Sequence, residues 1–293
     1  MAPTRQVEST RRPISRRKVL STLGLAALQI LLTALLVTYL VPTLWMVSSS
    51  LKASTEIFAH PIVWIPKEPV WSNYPRAFET LPLAKFAWNT VAIVTLAVVG
   101  TVVSSLAVAY SFARLRWPGR EFFFSMLVAT MMLPEVVTLV PRFIIFRNLG
   151  WVNTYLPLTV PYWLAGTPLY IFLARQFFRG LPIELDEAAL IDGASRIRVL
   201  FQILLPLSKP VIATIAVFAL LQHYNSFMEP LIYLNDMNKW TLAVGIRAFN
   251  SSYTSEWELI FAASTFMVTP MVILYMFAQR YFVRGIAMTG LKG

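Results

Sequence analysis

Long stretches without a charged residue constrain the fold of this chain more than any other feature of its sequence. The longest covers residues 19–51, and others cover 86–113, 122–134, 148–174, 210–228 and 259–279. Hydrophobic residues make up 57% of the chain and charged residues 13%, and a soluble domain of this composition would expose large apolar patches to water. The sequence therefore predicts a membrane protein.

The same stretches predict an all-α membrane protein with six transmembrane helices. About 20 residues of helix, each rising about 1.5 Å, cross a hydrocarbon core about 30 Å thick. The runs are continuously apolar rather than alternating, which argues against buried strands. The predicted helices occupy residues 21–47, 88–112, 122–146, 155–178, 209–232 and 259–282.

Positive charges predict the orientation of these helices, because cytoplasmic loops collect Lys and Arg. With the N-terminus inside, 17 of the 25 Lys and Arg residues fall on the inner side. We therefore predict a multi-pass protein of the cell membrane with both termini in the cytoplasm. The net charge of +11 then reflects topology, and nucleic acid is not an expected partner. The chain divides into a basic tail at 1–18 and a membrane domain at 19–293, which ends in a cytoplasmic tail at 283–293.

The chain has no cysteine and only two histidines, His60 and His223, which excludes disulfides, thiol catalysis and a histidine-rich metal site. It also lacks the G-x-x-x-x-G-K-[ST] pattern that cradles nucleotide phosphates. We therefore expect no cofactor, no metal and no ATP hydrolysis on this chain. His223 lies within a predicted helix and is expected to be packed or hydrogen-bonded rather than to relay protons.

The connection at 181–210, between the fourth and fifth predicted helices, predicts a short cytoplasmic helix of about ten residues. Acidic residues in its first turn suit the positive end of the helix dipole. Gly193 can end this helix in a left-handed conformation, and Ser195 can cap the next one. Small side chains at Ala188 and Ala189, beside a carboxylate, form either a docking surface for a partner or part of a solvated amphipathic loop.

The spacing within this connection resembles the EAA loop of ABC importer permeases. In that pattern EAA is followed by three residues, G, nine residues and I-x-L-P, and Glu187, Gly193 and Pro206 stand at the matching positions. Three further segments resemble the carbohydrate-uptake branch of these permeases: NYPRAF after the first helix, YNSFMEPLIYL near the end of the fifth, and QRYFVRGIAMTGLKG at the C-terminus. The second segment has Tyr224 where that branch usually has Trp. The chain is similar to the shorter, six-helix permease of the maltose type.

The resemblance implies a permease subunit of a binding-protein-dependent importer in the bacterial inner membrane. Such a subunit pairs with a second, homologous permease and receives a sugar from an extracytoplasmic solute-binding protein. It couples to two ATPase subunits, which bind ATP and Mg²⁺. The coupling contact implied for this chain is made by Glu187, Ala188, Ala189, Asp192 and Gly193.

The resemblance also implies roles for two segments further along the chain. The C-terminal tail would reach toward the ATPase pair, and the outer loop before the last helix would contact the binding protein. The tail residues concerned are Gln279, Arg280, Gly285, Gly290, Lys292 and Gly293, and the loop residues are Asn250, Ser251, Ser252 and Tyr253.

Polar residues inside the predicted helices are candidates for a substrate path, because ionisable groups in a membrane usually face a cavity or a partner. Glu135 and Glu229 are such groups, and Tyr224 and Asn225 lie close to the second. Carbohydrates need hydrogen-bonding groups and aromatic faces, so these four residues could line a sugar path. Arg142 is a third ionisable residue of this kind, and alternatively Arg142 and Glu229 lie near the outer interface and are simply hydrated.

Two other functions are compatible with six apolar helices. A secondary transporter or channel would bind a coupling ion at intramembrane acids, but it leaves the EAA spacing unexplained. An intramembrane hydrolase would need a clustered nucleophile and base or a metal set, which two isolated histidines and no cysteine do not supply. The sequence does not name the sugar, since a disaccharide, an oligosaccharide or glycerol phosphate each fits a permease of this kind.

Overall fold

The structure is a computed structural model that describes residues 16–164, 167–250 and 256–289. Side chains are described for 24–134, 136–164, 167–250 and 256–277. The regular secondary structure of these residues is helical, which confirms the predicted all-α class. In chain order the α-helices are α1 (Arg16–Ser49), α2 (Ser54–Ile57), α3 (Asn73–Thr80), α4 (Leu83–Arg114), α5 (Arg120–Thr130), α6 (Glu135–Asn148), α7 (Val160–Leu164), α8 (Pro168–Gly180), α9 (Glu184–Ile191), α10 (Arg196–Val199), α11 (Leu205–Leu207), α12 (Lys209–Tyr224), α13 (Met228–Tyr233), α14 (Leu242–Ile246) and α15 (Trp257–Thr289).

Three helices in the described part of the chain are long and apolar enough to cross a membrane. They lie within α1, α4 and α15 and cover Gly24–Ser49, Leu83–Arg114 and Trp257–Phe277. They correspond to the first, second and sixth predicted helices. Pro42 and Pro270 lie inside α1 and α15 without ending either helix.

The interval expected to form the third helix, 122–146, holds two helices instead of one. α5 ends at Thr130 and α6 begins at Glu135, directly after Pro134. Proline lacks a backbone N–H and disfavours helical geometry at the residue before it, so the chain leaves the helix here. The predicted helix at 122–146 is therefore divided into two helices at Pro134.

The fourth interval, 155–178, is also divided. It contains a 3₁₀ turn at Leu156–Leu158 followed by α7 and α8. Pro157, Pro161 and Pro168 each lie in the first turn of one of these segments, where a missing N–H costs no intrahelical hydrogen bond. Three short helical segments therefore replace the single helix that was expected.

The fifth interval, 209–232, contains a break near its end. α12 stops at Tyr224, and α13 begins at Met228. Before this interval, the helical segment Arg196–Leu207 meets the segment Lys209–Tyr224 at an angle of 79°. The apolar run again predicted a longer helix than the chain forms.

α4 lies at the centre of the described helices, where it packs against α7, α8 and α12. Ala97 and Ala109 on α4 are fully buried, and an added Cβ at Gly100 would collide with the indole ring of Trp163. Small residues of this kind let helices approach closely inside a membrane. Trp163 Nε1 also donates to the carbonyl oxygen of Leu96 at 3.0 Å, which fastens α7 to α4.

Side-chain hydrogen bonds hold the segment between α1 and α4 in place. Asn73 Nδ2 donates to the carbonyl oxygens of Ser50 and Lys52 at 3.0 and 2.9 Å. Ser54 Oγ donates to Glu258 Oε1 at 2.9 Å, which links α2 to the start of α15. The chain that follows α1 is thereby joined to α3 and to the start of α15.

Candidate functional site

The short helix expected between the fourth and fifth intervals is present as α9, with eight residues rather than ten. Gly193 follows it with a φ of 80°, in the left-handed region that glycine tolerates best. Ser195 Oγ then accepts a hydrogen bond from the Arg198 backbone N–H at 3.3 Å and caps α10. These local predictions for Gly193 and Ser195 are confirmed.

The two faces of α9 have different surroundings. Glu187 and Ala188 are exposed, as are Asp192 and Gly193 at the end of the helix. Ala189 is only 9% exposed and packs in a core cluster with residues of α4 and α8. Of the five residues expected to contact an ATPase, Ala189 therefore faces the chain's own interior, and the other four are accessible.

Exposed apolar side chains that were not predicted lie on α9 and in the chain that follows it. Ile191 is 86% exposed, Ile197 69% and Phe201 63%. Ile191 lies four residues after Glu187, so both side chains project from one face of the helix. This spacing is the signal from which Ile191 could have been found. The face can therefore make a contact that has both an ionic and an apolar part.

The buried side of α9 carries a carboxylate. Asp186 Oδ2 lies 3.6 Å from Arg114 Nε, and the two side chains are 2% and 4% exposed. Burial raises the pKa of Asp186 above its usual range, and the positive charge of Arg114 opposes that shift. An ion pair in the protein interior therefore joins α9 to the last residue of α4.

A second candidate site is a cavity of about 310 Å³ between α6, α7, α12 and α13. Its polar side chains come from α7, from the end of α12 and from the start of α13, and they can donate and accept hydrogen bonds. The lining residues are Val136, Leu139, Tyr162, Gln222, His223, Ser226, Phe227, Met228 and Glu229.

Glu229 is the acidic residue in the wall of this cavity. Its Oε1 lies 3.0 Å from Arg142 Nη2, and its Oε2 accepts a hydrogen bond from Tyr162 OH at 3.1 Å. The carboxylate is therefore compensated within the fold by a positive charge and a donor. The cavity can offer hydrogen bonds and an aromatic ring to a solute, which is the chemistry that an uncharged polar molecule needs.

The four residues predicted to line a substrate path do not all lie together. Glu229 lines the cavity. Tyr224 lines a smaller adjoining cavity, and its OH donates to the carbonyl oxygen of Met267 at 2.7 Å. Asn225 is exposed and donates to a backbone carbonyl oxygen one turn earlier in its own helix at 2.9 Å. Glu135 begins α6, and its side chain lies outside the described residues.

Sequence reasoning missed Tyr162, Gln222 and Ser226 as lining residues. Gln222 is oriented by Tyr170, whose OH donates to Gln222 Oε1 at 2.9 Å. Gln222 and Ser226 are polar residues inside the charge-free stretch 210–228 and stand four positions apart. That spacing within an apolar run is the signal that could have identified them.

His223 is packed and hydrogen-bonded, as expected. Its Nε2 lies 3.4 Å from Thr101 Oγ1, and its ring meets the ring of Tyr162 edge-on with centroids 4.2 Å apart.

Within the described part of the chain, no group of three or more His, Cys, Asp or Glu side chains is arranged to hold a metal ion.

The two further contact segments fall partly outside the described residues. Asn250 is described, whereas Ser251, Ser252 and Tyr253 are not. Gln279, Arg280 and Gly285 lie on the backbone of α15 at positions whose side chains are not described, and Gly290, Lys292 and Gly293 lie outside the described residues. The roles assigned to these segments stay predictions.

Comparisons with known proteins identify relatives along most of the chain. The chain is 34% identical to the sulfoquinovosyl glycerol transport system permease protein SmoH of Agrobacterium fabrum, over 88% of this chain and 91% of that protein. It is 33% identical to the trehalose/maltose transport system permease protein MalG of Thermococcus litoralis, over 87% and 92%. It is 32% identical to the sn-glycerol-3-phosphate transport system permease protein UgpE of Brucella suis, over 83% and 88%.

A solved structure has the same fold. A chain of a bacterial ABC transporter involved in the import of the acidic polysaccharide alginate aligns with a TM-score of 0.79 and 22% identity, over 92% of this chain and 99% of that chain.

Residues 100–288 match the family described as binding-protein-dependent transport system inner membrane component. Because this match covers more than half of the chain and the relatives align over nearly their full length, the protein belongs to the family of inner membrane components of binding-protein-dependent transport systems.

Proposed function

We propose that this chain is the permease subunit of an ATP-driven importer that translocates a sugar delivered by an extracytoplasmic binding protein. The observation that carries the proposal is α9, a short helix that has the spacing of an EAA loop and exposes Glu187 and Ala188. Members of the family are membrane components rather than catalytic subunits. The energy for transport therefore comes from a separate ATPase, which binds the ATP and Mg²⁺.

In this proposal the chain crosses the membrane six times, with both termini in the cytoplasm. α1, α4 and α15 supply three crossings. The other three are built from α5 with α6, α7 with α8, and α12 with α13. Broken helices are tolerated at membrane depth where the freed backbone groups are buried in protein or line a cavity. The breaks fit this rule, since α6, α7, α12 and α13 surround the cavity.

α9 acts in this proposal as the coupling helix, and its accessible face enters a cleft of an ATPase subunit. Ala188 is small enough for close approach, and Ile191 supplies apolar contact area. Glu187 supplies a directional charge, which we expect to meet a basic group on the ATPase. When the ATPase pair closes around nucleotide, the movement of the cleft displaces α9.

The assembly that this function requires contains several other chains. A second, homologous permease pairs with this one and completes the path through the membrane. Two ATPase subunits lie on the cytoplasmic side, where the C-terminal tail reaches them. The solute-binding protein docks on the outer side, where the loop that contains Asn250 contacts it.

The substrate class that the cavity supports best is an uncharged di- or oligosaccharide. Gln222, Ser226 and Tyr162 offer hydrogen-bonding groups, and the charge of Glu229 is matched by Arg142. The name of one relative specifies transport of trehalose and maltose. Sugars combine hydroxyl groups with apolar ring faces, and a cavity with neutral polar groups and an aromatic ring is complementary to both.

The Glu187→Lys variant tests the role of α9. Reversing this charge places a lysine against the basic group expected in the ATPase cleft. We expect the permease to remain in the membrane and to lose most of the ATPase subunit that co-purifies with it, as well as sugar uptake. Quantifying the ATPase in the purified complex measures this directly.

A matched control is Glu79→Lys, which makes the same charge change at an exposed position on α3. This variant should retain the full amount of bound ATPase. Normal ATPase binding by Glu187→Lys, or equal loss in the two variants, would remove α9 from the coupling contact.

A further inference from the structure

The last turn of α4 contacts the chain before, within and after α9. Arg114 Nη2 donates to the carbonyl oxygen of Leu181 at 2.9 Å, just before α9 begins. Arg114 Nε pairs with Asp186 Oδ2 at 3.6 Å within the helix. Tyr110 OH donates to the carbonyl oxygen of Arg196 at 2.9 Å, just after the loop that follows α9. The C-terminal end of α4 thus contacts α9 and the chain on both sides of it.

The buried ion pair is not explained by stability. A buried salt bridge is often no more stabilising than apolar residues in its place, because removing two charges from water is costly. Burial raises the pKa of Asp186 and the positive charge of Arg114 lowers it, so the pair lies where removing charge from water is costly. The two buried charges at this site therefore call for a reason other than stability.

α4 provides a stiff connection from this contact to the cavity. It is an uninterrupted helix of 32 residues, which corresponds to about 48 Å. About 15 Å from Arg114 along the helix axis, Ser104 Oγ donates to the carbonyl oxygen of Tyr162 at 2.7 Å. Thr101, one turn further on, contacts His223. Tyr162 and His223 both line the cavity.

We propose that Arg114 and Asp186 are positioning residues that lock α9 to the end of α4, so that a displacement of α9 is passed through α4 to the wall of the cavity. This proposal rests on the proposed function of α9 as a coupling helix. The apolar contact of Ala189 with α4 does not depend on one precise orientation of the two helices. An ion pair between two buried groups does, so it fixes one orientation of α9 on α4. Without it, ATP hydrolysis continues and moves α9 without moving α4.

The test is the amount of sugar transported per ATP hydrolysed by the complete reconstituted assembly. Asp186→Asn keeps the size of the side chain and removes its charge. Removing one partner of a buried ion pair lowers the stability of the fold, so the amount of bound ATPase is measured in the same samples. In the complex that assembles, ATP hydrolysis should continue and the sugar transported per ATP should fall at least about 5-fold, the lower end of typical coupling effects. Asp186→Glu retains the charge, and its longer side chain can still reach Arg114. This variant should therefore transport nearly as much sugar per ATP as the unaltered protein.

A matched control is Glu184→Gln, which makes the same chemical change at an exposed position of α9. It should leave the ratio unchanged. If Asp186→Asn assembles poorly, Arg114→Gln combined with Asp186→Asn removes both charges, should recover assembly and should keep the low ratio. A native ratio in an assembled Asp186→Asn complex or in this double variant overturns the proposal.

The outcomes separate this proposal from the function on which it rests. If Glu187→Lys leaves ATPase binding intact, α9 is not the coupling helix and both proposals fail. If Glu187→Lys abolishes ATPase binding but Asp186→Asn keeps a native ratio, the coupling role of α9 stands and only the lock between α9 and α4 is wrong.

Discussion

At the scale of single residues, Glu229 shows how an acid can be placed inside a membrane domain. A lone carboxylate at membrane depth is costly, and such groups are usually paired. Here Arg142 and Tyr162 contact its two oxygens. The sequence identified Glu229 because an ionisable residue interrupts an apolar region. It could not identify Tyr162, because a tyrosine in an apolar helix carries no comparable signal until the fold brings it to the cavity.

The Glu229→Gln variant tests the role of this pair. Glutamine can still accept the hydrogen bond from Tyr162, but it leaves the positive charge of Arg142 beside the cavity without this carboxylate. We expect uptake of a neutral sugar to fall about 10-fold, in line with a hydrogen-bonded charge interaction of about 1.5 kcal/mol. Initial rates of radiolabelled sugar uptake by the complete assembly measure this effect.

Asn225→Ala is the comparison for Glu229→Gln. The sequence predicted both residues to line the substrate path, but the Asn225 side chain donates a hydrogen bond to the backbone carbonyl oxygen of Leu221 in its own helix. Uptake by Asn225→Ala should match that of the unaltered protein. The assignment of the cavity would be contradicted if Asn225→Ala lost uptake while Glu229→Gln kept it.

At the scale of elements, the apolar runs predicted where helices form better than where they break. Pro134 lies between two helices, whereas Pro42 and Pro270 lie inside continuous ones. A missing N–H can be compensated by neighbouring helices and local adjustments, so a proline alone does not determine a break. The short helix α9 was better predicted, because its end depends on a local signal at Gly193 rather than on tertiary contacts.

α4 is the element whose packing is most sensitive to the size of a side chain. The Gly100→Ala variant adds a methyl group where the indole ring of Trp163 already lies. Overpacking of this kind costs about 1–3 kcal/mol. We therefore expect a lower unfolding temperature of the purified permease complex, together with weaker transport, because α7 carries Tyr162 to the cavity.

Gly24→Ala provides the control for this prediction, since nothing lies within 4 Å of an added Cβ at that position of α1. Its unfolding temperature should equal or exceed that of the unaltered complex, because alanine favours a helix more than glycine does. Equal loss of stability in the two variants would show that the contact between α4 and α7 is not tightly packed.

At the scale of the whole molecule, the two candidate sites lie at separate places in the fold. One is the exposed face of α9 and the other is a cavity with polar walls, and α4 contacts the surroundings of both. Family membership follows from similarity along most of the chain. The family could be anticipated from the EAA spacing, whereas the residues of the cavity required the positions of α6, α7, α12 and α13.

We propose that transport through this chain is driven by an ATPase acting on α9. The most direct measurement is sugar accumulation in proteoliposomes loaded with ATP and Mg²⁺ and supplied with sugar-loaded binding protein outside. The complete assembly should accumulate sugar against its gradient, and vesicles with this permease alone should show no accumulation. Full accumulation by the lone chain, driven by an ion gradient without the ATPase, would contradict the account.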